Sequence, residues 1–503
     1  MISINIATIF IIIWLFVFQV PVFSQEPNKA RLIILADMGN EPDEEQQMMH
    51  MMMCSNEFDL EGLIAVTGKY LRPESNNPYK QKVHPELFHQ IIDAYARVFE
   101  QLQVHADGYQ DPEYLHSIVA EGQPGYGVAA IGEGKSSRGS ALILESLVQD
   151  DSRPVYIVVN AGSNTLAQAL TDYERKHGRK ATDSLISKIR VYENGAQDNA
   201  GAWLCARYPE LHWIRSNYQT YCYGGPGRDG EVDNRGSIEN LGPYTWEPYS
   251  YSGVGQHQWA LEHIKGNHGP MGVVWPIRQF GSGEVRYMEG GGTVPWLSLM
   301  NLGLCDLDHP SWGGYSGRFT REKQPDIWSK HSGIKEDELR YDKFYLYTEV
   351  PDYWQNPETG KEFNNLFAPV WRWRRAMFND IKCRMDWCIS TFDEANHHPV
   401  AAIDGDQAEK IHFRKVAAGE QLKLDAAASA DPDQDMLIYR WWTYPEAGTY
   451  EGKLRIEQND QVSCNLLIPG DAAGKQIHLI LEVKDDHEKG SLYDYRRVVI
   501  NVE

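Results

Sequence analysis

The feature that most constrains the fold of this chain is a regular alternation of apolar, β-branched runs with amphipathic helical patterns. The strand-like runs lie at residues 31–36, 60–66, 155–160, 188–192, 211–214 and 273–274, and the helical patterns at 46–54, 85–103, 165–173 and 201–208. Strands that alternate with helices predict a doubly wound, mostly parallel sheet of the α/β class, because parallel strands need crossover connections. We interpret the methionines of the first helix as core packing.

The last hundred residues have a different pattern, with short alternating strands separated by turn residues. These runs lie at 421–424, 437–442, 461–468, 476–483 and 496–502. They predict a small all-β sandwich of the immunoglobulin type. We therefore divide the chain into an α/β domain at residues 30–304, a tryptophan-rich extension at 305–395 packed on it, and the sandwich at 400–503.

An acidic turn, Asp431-Pro-Asp-Gln-Asp435, precedes the aromatic strand of this sandwich. It resembles the Asp-Pro-Asp-Gly-Asp turn of PKD-like modules, with Gln434 in place of the usual glycine. Three aspartates in one turn can hold Ca²⁺, but aspartate is also a common turn former. We favour the second interpretation.

The N-terminal residues 1–24 are interpreted as a signal peptide rather than as part of the fold. An apolar run at 6–18 is followed by the small residues Val22 and Ser24, which predict cleavage before Gln25. The protein is therefore expected to be secreted or periplasmic, with no membrane association after cleavage. Because no lysine or arginine precedes the run, an uncleaved anchor is the alternative.

Composition narrows the ligand class. The formal net charge of −22 argues against a nucleic acid polymer as partner, because phosphate binding depends on clustered lysine and arginine. The seven cysteines are scattered and match no disulfide framework or zinc motif, so most are interpreted as buried apolar residues. Many of the 15 tryptophans and 27 tyrosines lie in glycine-rich loops. Such aromatic residues either form platforms for sugars or close loops over the core.

The first strand-like run leads into Asp37-Met-Gly-Asn-Glu41-Pro-Asp43-Glu44-Glu45, which has five carboxylates within nine residues. Two like charges 4 Å apart repel by about 4 kcal/mol at an effective dielectric constant of 20. A cation would relieve this repulsion, and ligands bind at the carboxyl ends of strands in open α/β sheets. The alternative is that Pro42 begins a helix and the acids after it only favour the positive end of the helix dipole.

These motifs resemble the nucleoside hydrolase superfamily, whose members open with a strand and an Asp-x-Asp-x-x-x-Asp-Asp motif that binds Ca²⁺. The segment Asn160-Ala-Gly-Ser-Asn164-Thr is similar to a second metal-binding segment of that superfamily. The resemblance is closer to a secreted, cellulose-binding branch with an immunoglobulin-like C-terminal domain. The signatures of that branch are present at residues 37–43, 56–64, 197–201, 308–314 and 395–400.

The resemblance implies a glycosidic hydrolase in which Ca²⁺ orients the attacking water and grips the sugar. It implies Asp37 or Asp43 as the catalytic base, and Asp37, Asp43, Glu44 and Asn164 as metal ligands. The candidates for contacts with sugar hydroxyl groups are Asn40, Asn194, Gln197, Asp198 and Glu289. The expected partner is a carbohydrate or glycoside, and the expected cofactor is Ca²⁺.

Three positions depart from the superfamily pattern. Gly39 and Asn40 occupy the stretch of the mid-motif aspartate, and Glu44 replaces the last aspartate. Near the end of the domain, Glu289-Gly-Gly-Gly292 stands where the branch has an aspartate, so one acidic ligand is missing or is supplied by Glu289. The leading hypothesis is a hydrolase acting on a sugar derivative. The alternative is a non-catalytic cellulose- or polysaccharide-binding protein, and a nucleoside-scavenging hydrolase is the third possibility.

Overall fold

The computed structural model describes residues 29–224, 254–277, 289–323 and 345–503. Its largest sheet consists of β1 (Ala30–Ala36), β2 (Phe58–Ala65), β3 (Val119–Glu121), β4 (Val155–Val159), β5 (Ile189–Asn194), β6 (His212–Ser216), β7 (Phe319–Lys323) and β8 (Tyr345–Glu349). The strand order is β3-β2-β1-β4-β5-β6-β8-β7, and of the described strand pairs within this sheet only β7–β8 is antiparallel. The predicted doubly wound α/β class is therefore confirmed.

Helices cover both faces of this sheet. They are α1 (Pro42–Met53), α2 (Pro85–Ala96), α3 (Phe99–His105), α4 (Pro112–Ser117), α5 (Arg138–Leu147), α6 (Ser163–His177), α7 (Arg179–Ile186), α8 (Ala200–Arg207), α9 (Gln256–Ala260), α10 (Gly269–Val274) and α11 (Val294–Leu297). Along β1, Leu32 and Ile34 join one buried cluster whereas Ile33 and Leu35 join another. Strand side chains alternate between faces, so a central strand with two buried faces reads as a continuous apolar run.

The order of the strands places a topological switch point beside β1. The chain leaves β1 towards β2 and β3 on one side and later returns to place β4 on the other side. Ligands of open α/β sheets bind outside the carboxyl ends of strands at such a point. The residues that follow β1 and β4 are therefore the first candidates for a binding site.

The strand predicted at residues 273–274 is wrong, because these residues end helix α10. Proline near the N-terminus of the helix, after Gly269, favours a helical start. Val273 is 74% exposed, whereas a strand of this sheet would bury it.

The tryptophan-rich extension contributes to the large sheet as well as packing on it, because β8 pairs with β6 and β7 pairs with β8. It also forms the hairpin of β9 (Asp352–Gln355) and β10 (Glu362–Asn365), followed by helices Ala368–Trp371 and Arg374–Trp387.

The C-terminal region forms two facing sheets around a core of its own. Their strands are β11 (His412–Val416), β12 (Gln421–Asp425), β13 (Ile438–Thr443), β14 (Ile456–Glu457), β15 (Ser463–Leu467), β16 (Gln476–Lys484) and β17 (Tyr493–Val502). The orders are β11-β17-β16-β13 and β12-β15-β14. In the acidic turn, Asp431 Oδ1 accepts hydrogen bonds from the backbone N–H groups of Asp433 (2.9 Å) and Asp435 (3.0 Å), as expected of a turn former.

The sandwich is attached to the α/β domain through buried contacts. Tyr444 and Tyr495 belong to the same apolar cluster as Trp373. The buried guanidinium group of Arg497 donates to the carbonyl oxygens of Leu304 (2.7 Å) and Gly313 (2.8 Å). These hydrogen bonds join β17 to the loops beyond α11.

All seven cysteines are buried free thiols, as expected for most of them. Among the residues that the structure describes, none of the helices has the length and apolar character needed to span a bilayer. The predicted signal peptide lies outside the described residues.

Candidate functional site

The site begins where β1 ends and α1 starts. Asp37 follows β1 and is only 2% exposed. Gly39 turns the chain with a φ of +84°, and a side chain there would come within 2.9 Å of Tyr79 and His84. Pro42 occupies the first turn of α1, so the acids that follow also lie at the positive end of its dipole. The sequence left two interpretations open, a cluster of acids that binds a cation and acids that favour the helix dipole. The position of these acids at the start of α1 is compatible with both.

Burial raises the pKa of every acid in this segment for which a shift is resolved. Burial, reinforced by repulsion from Glu41, raises the pKa of Asp37 to about 7 and that of Asp43 to about 8. Burial and the charges of Asp37 and Asp43 raise the pKa of Glu44 well above its usual range, and burial raises that of Glu45 to about 7. Such carboxylates are unfavourable as isolated anions, and an opposite charge close by would stabilise them.

Five buried side-chain oxygens along this edge of the sheet accept no hydrogen bond: Asp37 Oδ2, Asp43 Oδ1, Asn160 Oδ1, Asn164 Oδ1 and Asn194 Oδ1. A buried acceptor left unpaired costs about 1–3 kcal/mol, so such groups need an explanation. Two carboxylate oxygens with three amide oxygens form the all-oxygen donor set that Ca²⁺ prefers. The donor chemistry of these residues is therefore the kind that suits Ca²⁺.

Hydrogen bonds orient these side chains. Asn160 Nδ2 donates to Glu44 Oε2 at 3.2 Å, and Gln47 Nε2 donates to the same oxygen at 2.5 Å. Asn164 Nδ2 donates to the carbonyl oxygen of Gly125 at 2.8 Å. In Asn160 and Asn164 the amide nitrogen is thus engaged, and the oxygen remains available to a ligand.

The carboxylate oxygens of Asp37, Asp43 and Glu44 do not all lie within 4.8 Å of one another. Among the described residues, two sets of three potential ligands have atoms within 4.8 Å of one another, His50–Cys54–Asp380 and Asp431–Asp433–Asp435. The trio Asp37, Asp43 and Glu44 is not one of them. A cation at the sheet edge would therefore depend on the neighbouring amide oxygens for part of its coordination.

The glycine tract that replaces the expected acid lies directly against this site. A Cβ built on Gly290 would overlap the Asp43 carboxylate, at 3.0 Å from its Cγ, and one on Gly291 would lie 2.6 Å from Asn194 Oδ1. A Cβ on Gly292 would overlap the Gln47 amide. The backbone of residues 290–292 thus occupies the space beside the acids, and an aspartate side chain at Gly290 has no room there.

This close approach leads to a first prediction. Gly290→Asp should lower the free energy of unfolding by about 1–3 kcal/mol, because the new side chain overlaps Asp43. Urea unfolding would measure the change. Gly470→Asp is the matched control, since a Cβ on Gly470 meets open space and should leave stability nearly unchanged. Equal stability of Gly290→Asp and the unmodified protein would contradict the observed packing.

The remaining predicted contact residues fall into two groups. Asn194 Oδ1 and Gln197 Oε1 have no hydrogen-bond partner, whereas Asn40 Oδ1 accepts from Lys80 Nζ at 2.8 Å. Asp198 accepts from the Ser163 hydroxyl and from the backbone N–H groups of Asn164 (3.0 Å) and Ala200 (2.9 Å). These hydrogen bonds join the N-termini of α6 and α8. Asp198 therefore fixes the position of the helix that carries Asn164.

Glu289 is fully buried beside α1. Its Oε2 lies 2.9 Å from His50 Nδ1 and accepts from Thr293 Oγ1 at 2.6 Å. Its Oε1 has no hydrogen-bond partner. The structure therefore gives Glu289 a definite contact with helix α1, and its role as a sugar ligand stays a prediction.

Three contributors to the site were not singled out as site residues from the sequence: Asn160, Gln47 and Lys80. Asn160 directly follows β4, so the rule that ligands bind at carboxyl ends of strands points to it. Gln47 lies one turn after Asp43 on α1, where residues three or four apart share a face. Lys80 arrives from a distant loop, and no local pattern signals its contact with Asn40.

The raised pKa values lead to a second prediction. The unfolded chain has released the protons of these acids by about pH 5, whereas the folded protein keeps those of Asp37, Asp43 and Glu45 until pH 7 to 8. Their contribution to stability is therefore complete at low pH and is lost as the pH rises through these values. Without calcium, Tm should fall between pH 5 and 8.5, and calcium should reduce this fall. Parallel pH profiles of Tm with and without calcium would contradict the prediction.

The mostly parallel sheet, with its oxygen-rich carboxyl edge at a switch point, has the architecture of an α/β protein that binds a ligand at that edge. Residues 31–319 match the family described as "Cellulose-binding Sde182, nucleoside hydrolase-like domain", and residues 421–502 match "Cellulose-binding protein Sde0182, C-terminal domain". The chain belongs to this Sde182 family, which confirms the resemblance inferred from the motifs.

A solved structure of a nucleoside hydrolase-related hypothetical protein from Saccharophagus degradans, described as associated with carbohydrate metabolism, is similar to the whole chain. The two share 34% identity over 94% of this chain and 100% of the other, with a TM-score of 0.77. Titin domain M7 (15% identity, 21% of this chain, 94% of the other) and an endo-β-1,4-mannanase from Thermotoga petrophila (10%, 94% and 98%) have TM-scores of only 0.14 and 0.16 and support no argument. No curated protein sequence matches the chain.

Proposed function

We propose that this protein is a secreted or periplasmic glycosidic hydrolase that acts on a sugar derivative at the carboxyl edge of its large sheet, with Ca²⁺ as cofactor. The observation that carries the proposal is the set of five buried, unpaired oxygens of Asp37, Asp43, Asn160, Asn164 and Asn194 at the switch point. The description of the family as cellulose-binding supports a glycan as the ligand.

Asp37, Asp43, Asn160 and Asn164 would hold the ion, with Glu44 next to them. When bound, Ca²⁺ supplies Lewis acidity towards water and a template for vicinal hydroxyl groups. Cleavage of a glycosidic bond needs a water molecule and a base placed to take its proton. Without calcium, burial raises the pKa of Asp37 to about 7 and that of Asp43 to about 8. A bound cation would favour the ionised carboxylates, which are the forms able to accept a proton from water.

Side chains around the acids would position the sugar. Asn194 is the last residue of β5 and Gln197 follows in the next loop, and Asn194 Oδ1 and Gln197 Oε1 have unused acceptor capacity for hydroxyl groups. Asn40 is held by Lys80. Asn194 is only 4% exposed, so its hydrogen bond to a substrate would be stronger than in solvent.

The second candidate function is that of a polysaccharide-binding protein that keeps the fold but not the reaction. The observation that favours it is the glycine tract at residues 290–292, whose backbone fills the place of an expected acid. Gly39, which stands in the stretch of the mid-motif aspartate, favours it as well. Nothing in the contacts of the described residues favours a nucleoside over another sugar derivative.

Two assays on the same preparation separate these functions. Release of the aglycone from aryl glucosides and aryl ribosides would be measured in CaCl₂ and in chelator, and sedimentation with insoluble cellulose would be measured in parallel. The hydrolase predicts calcium-dependent release from at least one glycoside. Retention on cellulose without release would support the binding protein, and the absence of both would reject both functions.

A further inference from the structure

A cleft of about 730 Å³ lies between the tryptophan-rich extension and the sandwich. One wall consists of the β9–β10 hairpin and the helix Arg374–Trp387. The other wall consists of β13, β16 and the start of β17. The acids of the sheet edge are not among the residues that line it. The cleft is therefore a separate place on the molecule, with a volume typical of ligand sites.

Aromatic rings line both walls of this cleft. Trp354 is partly exposed and stacks on Phe363 with ring centroids 5.4 Å apart, and its neighbour Tyr353 is 50% exposed. On the opposite wall, Trp442 is partly exposed and lies 5.5 Å from the buried ring of Trp373. The Trp354 ring, packed on Phe363 on one side, is therefore a rigid, flat contact surface. The Trp442 ring borders the cleft together with the guanidinium groups of Arg372 and Arg440, which lie 5.6 and 6.0 Å from its centroid.

The charges in the cleft balance one another. Its lining includes four cationic side chains (Arg372, Arg375, Arg440 and Lys484) and four acidic ones (Glu358, Glu446, Asp460 and Glu482). Arg375 pairs with Glu358, and Arg440 Nη1 lies 3.8 Å from Glu482 Oε2. Because there is no excess of either sign, the lining favours an uncharged ligand over an anionic or cationic one.

Hydrogen-bonding capacity remains in this neutral surface. Arg372 Nη2 donates to the carbonyl oxygen of Tyr353 at 3.0 Å, but its Nε has no hydrogen-bond partner. Glu446 Oε1 accepts from the backbone N–H of Tyr353 at 3.0 Å, whereas Oε2 has no partner. Both unpaired atoms are buried, so Arg372 and Glu446 support the wall that carries Tyr353. The polar groups that a ligand can reach are those of Arg375, Glu358 and Arg440, whose side chains are 32%, 38% and 40% exposed.

We propose that this cleft binds a segment of an uncharged polysaccharide, with one pyranose ring against Trp354, a further sugar beside Trp442, and hydroxyl groups on Arg375, Glu358 and Arg440. A pyranose has apolar C–H faces and an equatorial belt of hydroxyl groups, which matches flat aromatic surfaces combined with paired polar groups. The proposal takes its ligand class from the proposed function but assigns a site apart from the sheet edge. In this arrangement the extension and the sandwich hold the chain, and the α/β domain is free to act on it.

The test is tryptophan fluorescence titration of the whole protein with cellohexaose, together with sedimentation on microcrystalline cellulose. Trp354→Ala and, separately, Trp442→Ala should weaken cellohexaose binding about tenfold or more, the size expected for the loss of one central aromatic contact. Trp442→Phe keeps an aromatic surface and should retain most of the affinity. Phe413→Ala is the matched control, because Phe413 is 56% exposed on the sandwich but does not line the cleft.

The melting response to calcium is recorded for each variant, which separates this proposal from the one for the sheet edge. A preserved calcium response with lost cellohexaose binding supports the cleft. Should Trp354→Ala and Trp442→Ala both bind as tightly as the unmodified protein, the cleft is not the binding site. An unmodified protein that binds an extended uncharged peptide but neither glucan ligand would also overturn the proposal.

Discussion

Asp43→Asn should stabilise the calcium-free protein while abolishing both its response to calcium and its hydrolytic activity. Burial and the neighbouring acids raise the pKa of Asp43 to about 8, so the ionised side chain is unfavourable at neutral pH. Removal of that charge should raise the free energy of unfolding without calcium by about 1–2 kcal/mol. Loss of a ligand and base should lower turnover by about 10²-fold or more.

Thermal melting and aglycone release measure these opposite effects on one preparation. In the unmodified protein, calcium at 100 times its Kd should add about 2.7 kcal/mol of stability. Glu45→Gln is the control, because Glu45 is in the same helical turn with a pKa raised by burial to about 7 but is not assigned as a ligand. It should keep the calcium response. An Asp43→Asn variant that still responds to calcium would mean that the ion binds elsewhere.

Arg384→Met should lower the free energy of unfolding by about 3–5 kcal/mol, because it removes a buried charge partner of Asp380 and Glu57 and leaves Asp380 with only His398. The side chain of Arg384 is 3% exposed and joins helix Arg374–Trp387 to the end of α1, with Nη2 2.6 Å from Glu57 and Nε 2.9 Å from Asp380. Burial raises the pKa of the Asp380 carboxyl. The charges and hydrogen bonds of Arg384 and His398 outweigh this effect and hold that pKa well below its usual range.

Urea unfolding at neutral pH would measure the effect of this substitution. Arg414→Met is the matched control. Arg414 pairs with Asp404 at 2.7 Å, but both side chains are about a third exposed (29% and 39%), and such surface pairs contribute about 0–1 kcal/mol. A similar loss of stability in both variants would show that Arg384 does not fix the extension to the α/β domain.

The sequence was sufficient to predict the alternating α/β order and the position of the acidic segment. Both depend on local patterns, namely β-branched runs, a proline at a helix start and acids in its first turn. Asn194 ends β5 and Gln197 lies in the loop after it, and their role as sugar ligands stays a prediction. Positions set by one strand and its following loop can thus be inferred without knowledge of the tertiary structure.

The parts that could not be predicted depend on contacts distant in sequence. Pairing of β8 with β6 joins residues more than a hundred positions apart, and the contact of His50 with Glu289 spans 239 positions. The glycine tract shows the same limitation. Its sequence reveals that an acid is missing, but only the fold shows that the backbone of Gly290 fills that space.

The most direct test of the account is calorimetric titration of the calcium-stripped protein with CaCl₂ at pH 7.5 and at pH 5.5. A Ca²⁺ site at the sheet edge predicts one site per chain at pH 7.5, weaker binding at pH 5.5 because protons compete for Asp37 and Asp43, and no site in Asp37→Asn or Asp43→Asn. A titration without binding heat in the unmodified protein, supported by an unchanged Tm, or identical binding in the two variants, would contradict it.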